Sequence, residues 1–265
     1  MPDDPALVSV QLAEKPLSAL VGAGRSADLP PSLDYTTIMD EIPDQGPTSS
    51  CVGQAFATAL YLIASIADTP IPRPSAKLIY DYARAEDQPY VRLVDLGSRP
   101  TAAIRCLSDQ GMVAESEWPI VYMPDGSSNI NQRPYLDVYQ DALGFKVGDY
   151  YRISSGAGAS LGIRHALARG FCPVFAMPVD EAYEYNAGSL YEGRRGASLG
   201  GHMQAIGGYG DGFLRIVSSW GAAHGERGVV KIADDYIDSG EATDIIVVTM
   251  VPRLSAPAPE RTSDR

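Results

Sequence analysis

The sequence predicts an α+β protein of two lobes, a mainly helical one first and a mainly antiparallel β one second. Three observations predict it. Between residues 51 and 110 apolar residues recur at three-and-four spacing, the mark of helices with one buried face. After residue 171 the apolar residues fall instead into short runs bounded by Gly and Asp, as strands between turns do. Finally, two blocks of chemistry-bearing residues lie one in each half, at Asp44 to Cys51 and at Gly200 to Gly221. A site assembled from both lies at their junction, where binding clefts form.

The elements follow in order. Residues 1–30 have little core-building pattern and read as an N-terminal arm or the remnant of a pro-segment. Residues 31–140 form the mainly helical lobe. Its first helix, 51–67, carries Val52, Ala55, Phe56, Ala59, Leu60, Ile63 and Ile66 on one face, with Ser49 and Ser50 where N-caps belong. Further helices are expected over about 76–86 and 98–110. Residues 123–137, with Pro124-Asp125-Gly126-Ser127-Ser128-Asn129, are turn-rich and suit a crossing between lobes. Residues 141–252 form the mainly β lobe: a short helix from Ser160 to Ala168, then strands at Cys172–Val179, His202–Tyr209, Phe213–Ser218, Val229–Ala233 and Asp244–Val251. Residues 253–265, with Ser255-Ala256-Pro257-Ala258-Pro259, lack a core pattern and read as a flexible tail. No internal repeat is visible.

Composition bounds the function. The 265 residues carry a formal net charge of −12, which argues against nucleic-acid or anionic-membrane partners, since those select basic faces. No apolar run reaches the ~18 residues of a membrane span, and Met1-Pro2-Asp3-Asp4 does not open a secretory signal, so the expectation is a cytoplasmic protein or one exported without a Sec-type signal. Nothing in the sequence fixes the oligomeric state. Three cysteines, with no Cys-x-x-Cys and no close His/Cys pair, point away from disulfides and zinc. Cys106 and Cys172 lie in apolar patterns and read as core; His165 and His224 have no partner motif and read as structural or exposed.

Cys51 is different. At a helix start, unpaired N–H groups and the positive end of the dipole favour a thiolate, and a neighbouring imidazolium lowers the thiol pKa further. A thiol nucleophile needs a base and a donor for the developing oxyanion, and His202 and Gln45 are of those types.

Gln45-Gly46, Ser50-Cys51, Gly201-His202 and Ser219-Trp220-Gly221 together resemble the motifs of the papain-like cysteine peptidases, especially their compact bacterial members. Weaker similarity runs through Ser75 to Tyr80, Leu96-Gly97-Ser98, Gly111 to Pro119 and Gly225 to Tyr236, so the resemblance spans about residues 30 to 251. It implies Cys51 on the central helix of one lobe, His202 on a strand of the other, and a cleft between them for a peptide or protein substrate. It also implies that Trp220 covers the residue-218 contact to His202 and floors the leaving-group side. Gly97 and Ser98 match the wall segment whose backbone pairs with an extended substrate, and Gly201 precedes the base. No metal or organic cofactor is implied.

Two positions depart from the pattern. Thr48 stands where the family usually has a disulfide-bonded cysteine, and Ser218 stands where it has the Asn that orients the imidazole. A serine hydroxyl can accept the same N–H, but from a shorter side chain that needs a backbone shift or a bridging water. The resemblance therefore implies a cysteine peptidase working through an acyl-enzyme, with a slower site than usual. Two alternatives stay open: a weak or inactive papain-like module that grips a peptide without cutting it, and an amidase or acyl transferase using the same site.

Overall fold

The computed structural model describes residues 14–21, 29–87, 94–135, 138 and 145–252. The three long helices of the first half are α2 (Cys51–Ile66), α3 (Ala76–Asp87) and α4 (Pro100–Asp109), preceded by the short α1 (Ser18–Val21). The second half adds α5 (Ala159–Leu167), α6 (Glu181–Glu184) and α7 (Asp234–Asp238) around a nine-stranded sheet. Its strands are β1 (Glu14–Pro16), β2 (Leu33–Asp34), β3 (Phe145–Ile153), β4 (Val174–Val179), β5 (Leu190–Tyr191), β6 (Gly200–Gly210), β7 (Phe213–Val217), β8 (Val229–Ala233) and β9 (Thr243–Pro252). Their order is β1-β3-β9-β4-β6-β7-β8-β5, with β2 added on β6.

The sheet is antiparallel through its centre and carries one parallel pair at each end, β1 on β3 and β5 on β8. Part of the segment read as an arm is thus a strand, with Glu14 opposite Tyr150 and Leu17 and Leu20 packed on the core. The remainder of that segment (1–13 and 22–28), and the tail 253–265, lie outside the described residues.

Strand β3 carries no clean alternation in the sequence because its register shifts between Val147 and Tyr150. The intervening Asp149 N–H turns to the Thr249 hydroxyl (3.0 Å), which itself donates to the Asp149 carbonyl (3.2 Å). Such a bulge flips the facing of every later residue, so a period-two pattern is lost.

Helix α2 buries Phe56, Leu60 and Leu62 completely and packs on β6, joining a core that continues through Phe175, Ile206 and Val247. Gly53 lets α3 approach: a Cβ there would stand 2.1 Å from the Ala76 carbonyl oxygen. Gly208 does the same for β2, since its Cβ would lie 2.4 Å from the Leu33 carbonyl oxygen. A second, smaller apolar cluster (Leu78, Tyr82, Cys106, Val113, Trp118, Val138) fills the space beneath α3 and α4. Cys106 and Cys172 are both buried in apolar surroundings, as expected, and burial pushes both thiols far up, Cys106 to about 12.

Helix α3 buries charge as well as apolar surface. Asp81 takes Lys77 Nζ (2.7 Å), Arg84 Nη2 (2.6 Å) and the Trp118 indole N–H (3.0 Å), and none of the three charged side chains is more than 2% exposed. Lys77 also reaches the Gln132 carbonyl, and Arg84 the Ile130 carbonyl and Asn131. These bonds pin residues 130–132, within the turn-rich crossing, against α3.

Candidate active site

The two motif blocks meet directly. The Gln45 N–H donates to the Ser219 carbonyl (2.7 Å), the Gly221 N–H to the Pro43 carbonyl (2.9 Å), and Asp44 bridges to Trp220. The Gln45 side chain, 6% exposed, is held at both ends: its Nε2 donates to the Thr48 carbonyl (2.7 Å) and its Oε1 accepts from the Ser219 hydroxyl (2.7 Å). One Nε2 hydrogen is spent on Thr48, and the amide has a second to offer.

Chain direction from Gln45 into α2 is set by Thr48. Its hydroxyl donates to the Gln45 carbonyl (2.7 Å), which leaves its oxygen to accept the Ser50 hydroxyl (2.8 Å). Ser50 occupies the N-cap position but makes no side-chain cap. The backbone amides of Met203, Val52 and Cys51 favour the Cys51 thiolate. Those donors pull the thiol pKa down, but burial dominates and leaves it above its ordinary value, with the Asp95 carboxylate adding to the rise. The dipole of α2 therefore does not by itself make the thiolate expected from the helix start.

His202, in β6 immediately before Met203, is 4% exposed. The Trp220 indole stacks on its ring at 4.5 Å between centroids and 25° between planes. Burial, helped by nearby His224, pushes the imidazole down to about 3. Each group taken alone is thus held neutral.

Ser218 does not reach His202. Among the described residues the buried His202 Nε2 has no hydrogen-bond partner. The Ser218 hydroxyl lies 2.8 Å from His224 Nδ1, and the other ring nitrogen of His224 is 2.7 Å from the Tyr183 carbonyl. A carbonyl only accepts, so Nε2 of His224 carries the hydrogen and Nδ1 accepts the Ser218 O–H. The Ser218 oxygen in turn accepts the Trp220 N–H (3.0 Å). Residue 218 is therefore tied to the backbone of the stacking tryptophan and to a second histidine.

Residues 94–97 are held on α3. Gly97 adopts φ +85° and its N–H donates inward to the Tyr80 hydroxyl (2.9 Å); the Ser98 hydroxyl is buried without a partner among the described residues. Gly201 is exposed at the opening end of β6, opposite Pro178 of β4. A cavity of about 520 Å³ opens beside Trp220, lined by Asp44, Glu184, Tyr185 and His224.

Gln45 is bonded to the Ser219–Gly221 block that carries Trp220, and Trp220 stacks on His202; Gly97 is tied to Tyr80, and Ser218 to His224 and Trp220. His224, Tyr183 and Asp95 were not singled out by the sequence. His224 sits in a loop with no motif around it, and Tyr183 belongs to a four-residue helix too short to show a period.

No protein-family model matches the chain, and no curated protein matches it. Solved structures do. Xylellain, a cysteine protease from Xylella fastidiosa, aligns with a TM-score of 0.72 at 25% identity, covering 96% of this chain and 95% of that one. The digestive procathepsin L 3 of Tenebrio molitor larval midgut aligns at 0.67 with 19% identity over 92% of this chain and 75% of its own. The bromelain protease of Ananas comosus aligns at 0.64 with 17% identity over 86% and 100%. The chain has the fold of the papain-like cysteine proteases and resembles them, a bacterial member included, over almost its whole length.

Proposed function

We propose that the protein is a cysteine peptidase that hydrolyses peptide bonds through Cys51 and His202. The observation that carries the reading is the thiol at the first residue of α2, in a chain whose Gln45 block is hydrogen-bonded to the block carrying the tryptophan that stacks on His202. Substrate arrival draws the thiol proton to His202, and the thiolate attacks the carbonyl carbon. The backbone N–H of Cys51 and the second hydrogen of the Gln45 amide receive the oxyanion. His202 then protonates the leaving amine, and in the second half of the cycle takes a proton from water to release the acyl-enzyme. Trp220 shields the imidazole from solvent and keeps its plane.

The unpartnered His202 Nε2 favours one second reading, a papain-like module that grips a peptide with little turnover. A fluorescent thiolate-alkylating probe separates the two. The peptidase reading expects labelling of the wild type near neutral pH and none of Cys51→Ala; an unlabelled wild type of intact fold would select the binding module.

A further inference from the structure

The loop that delivers Cys51 and the segment that walls the cleft have no covalent tie, since Thr48 is not a cysteine and all three cysteines are free. They are joined instead through one carboxylate. The Ser49 N–H, two residues before the nucleophile, donates to both oxygens of Asp95 (3.0 and 3.2 Å), and the Ser49 hydroxyl donates to the Asp95 carbonyl (3.3 Å). The same carboxylate accepts the Tyr80 hydroxyl (2.7 Å), whose oxygen accepts the Gly97 N–H (2.9 Å). Tyr80 is fully buried on α3 and stacked under the Arg84 guanidinium (4.2 Å), and Arg84 also holds the Val94 carbonyl (3.2 Å). The wall segment 94–97 is thus fastened at three points, all leading to α3, and at one of them to the nucleophile loop.

We infer that Asp95 is a positioning residue: its carboxylate locks the wall segment Gly97–Ser98 to the Ser49–Cys51 loop, so that an extended substrate and the nucleophile keep one register. Bonds from an N–H and an O–H to a charged oxygen are the stronger kind and leave a defined geometry. The charge has a side effect, for Asp95 opposes ionisation of the Cys51 thiol. The groups facing Asp95 are Ser49, Tyr80 with Arg84 above it, and Tyr122, whose phenol burial pushes up to about 12 with Asp44 and Asp95 contributing.

Alignment and charge can be separated by three substitutions in the full chain. Asp95→Asn keeps an acceptor for Ser49 and removes the charge; Asp95→Ala removes both; Tyr80→Phe keeps the charge and cuts the links from Tyr80 to both the Asp95 carboxylate and Gly97. Three readouts are taken: alkylation of Cys51 by iodoacetamide at one pH, hydrogen exchange of the 46–50 and 94–99 backbone, and KM and kcat on an extended peptide. Removing the charge speeds alkylation about threefold in both Asp95 variants, as one unit charge near a partly hydrated thiol does. Asp95→Ala and Tyr80→Phe speed exchange of 94–99 and raise KM on the extended peptide about tenfold with little change in kcat, the scale of one lost charge-assisted bond. Asp95→Asn, which keeps the acceptor but makes weaker neutral bonds, falls between wild type and Asp95→Ala in exchange and KM. Wild-type exchange and KM in Asp95→Ala would overturn the inference, as would equal damage from Asp95→Asn and Asp95→Ala. The KM readout rests on the peptidase reading; alkylation and exchange do not, so a wild type that cleaves nothing while both still respond would sink that reading and leave the clamp standing.

Discussion

Ser218 spends its hydroxyl on His224 and its lone pair on the Trp220 N–H, so its removal strands one buried and one part-buried group at once. Each unsatisfied group costs about 1–3 kcal/mol. Ser218→Ala should therefore lower the unfolding free energy by that order while Cys51 is alkylated at nearly the wild-type rate. A large loss of alkylation with unchanged stability would instead place residue 218 on His202. His202, the proposed base, behaves differently. Because burial holds the lone thiol up, removing its proton acceptor should do more than restore ordinary chemistry. In His202→Gln the alkylation midpoint should lie above the ~8.5 of a free thiol, where the wild type reacts near neutrality; identical pH profiles would remove His202 from the site. At this scale Cys51, His202, Gln45 and Trp220 were legible as residue types in a pattern. The partner of Ser218 was not, since it depends on where a six-residue loop returns His224, and no local sequence rule encodes that return.

The helices of the first half were legible because their apolar faces keep period, and 51–67, 76–86 and 98–110 were read within two residues of α2, α3 and α4. What period does not tell is the second face. Lys77, Asp81 and Arg84 stand at i, i+4 and i+7 and look like a solvated stripe, yet residues 130–132 and Trp118 close over them. Burial pulls the Lys77 ammonium below its usual range and Asp81 pulls it back. Two cations therefore share one buried carboxylate, and removing one partner of such a set costs about 3–5 kcal/mol. Asp81→Asn should lose that order of stability in urea unfolding; a loss under about 1 kcal/mol, typical of an exposed pair, would show that water reaches the cluster. Strand β3 and the edge strand β1 were missed for the opposite reason, a bulge in one and three residues of length in the other.

Across the whole molecule, segments about 170 residues apart in sequence are stitched by backbone and side-chain bonds into one site, with Gln45 on Ser219 and Gly221 on Pro43. The α+β class and the helical-then-β order followed from the change of period along the chain; the mixed ends of the sheet did not, because parallel pairing leaves no local signature at two or three residues. The lobes at 31–140 and 141–252 remain a proposed division, the one that sets Cys51 and His202 on opposite sides of a cleft. The most direct test of the central claim is a mass-spectrometric digest of a peptide library by wild-type protein and Cys51→Ala in parallel. The account predicts new peptide termini with the wild type and none with Cys51→Ala at an equal, folded concentration. Equal cleavage by both, or none by a wild type whose Cys51 alkylates at neutral pH, would contradict it.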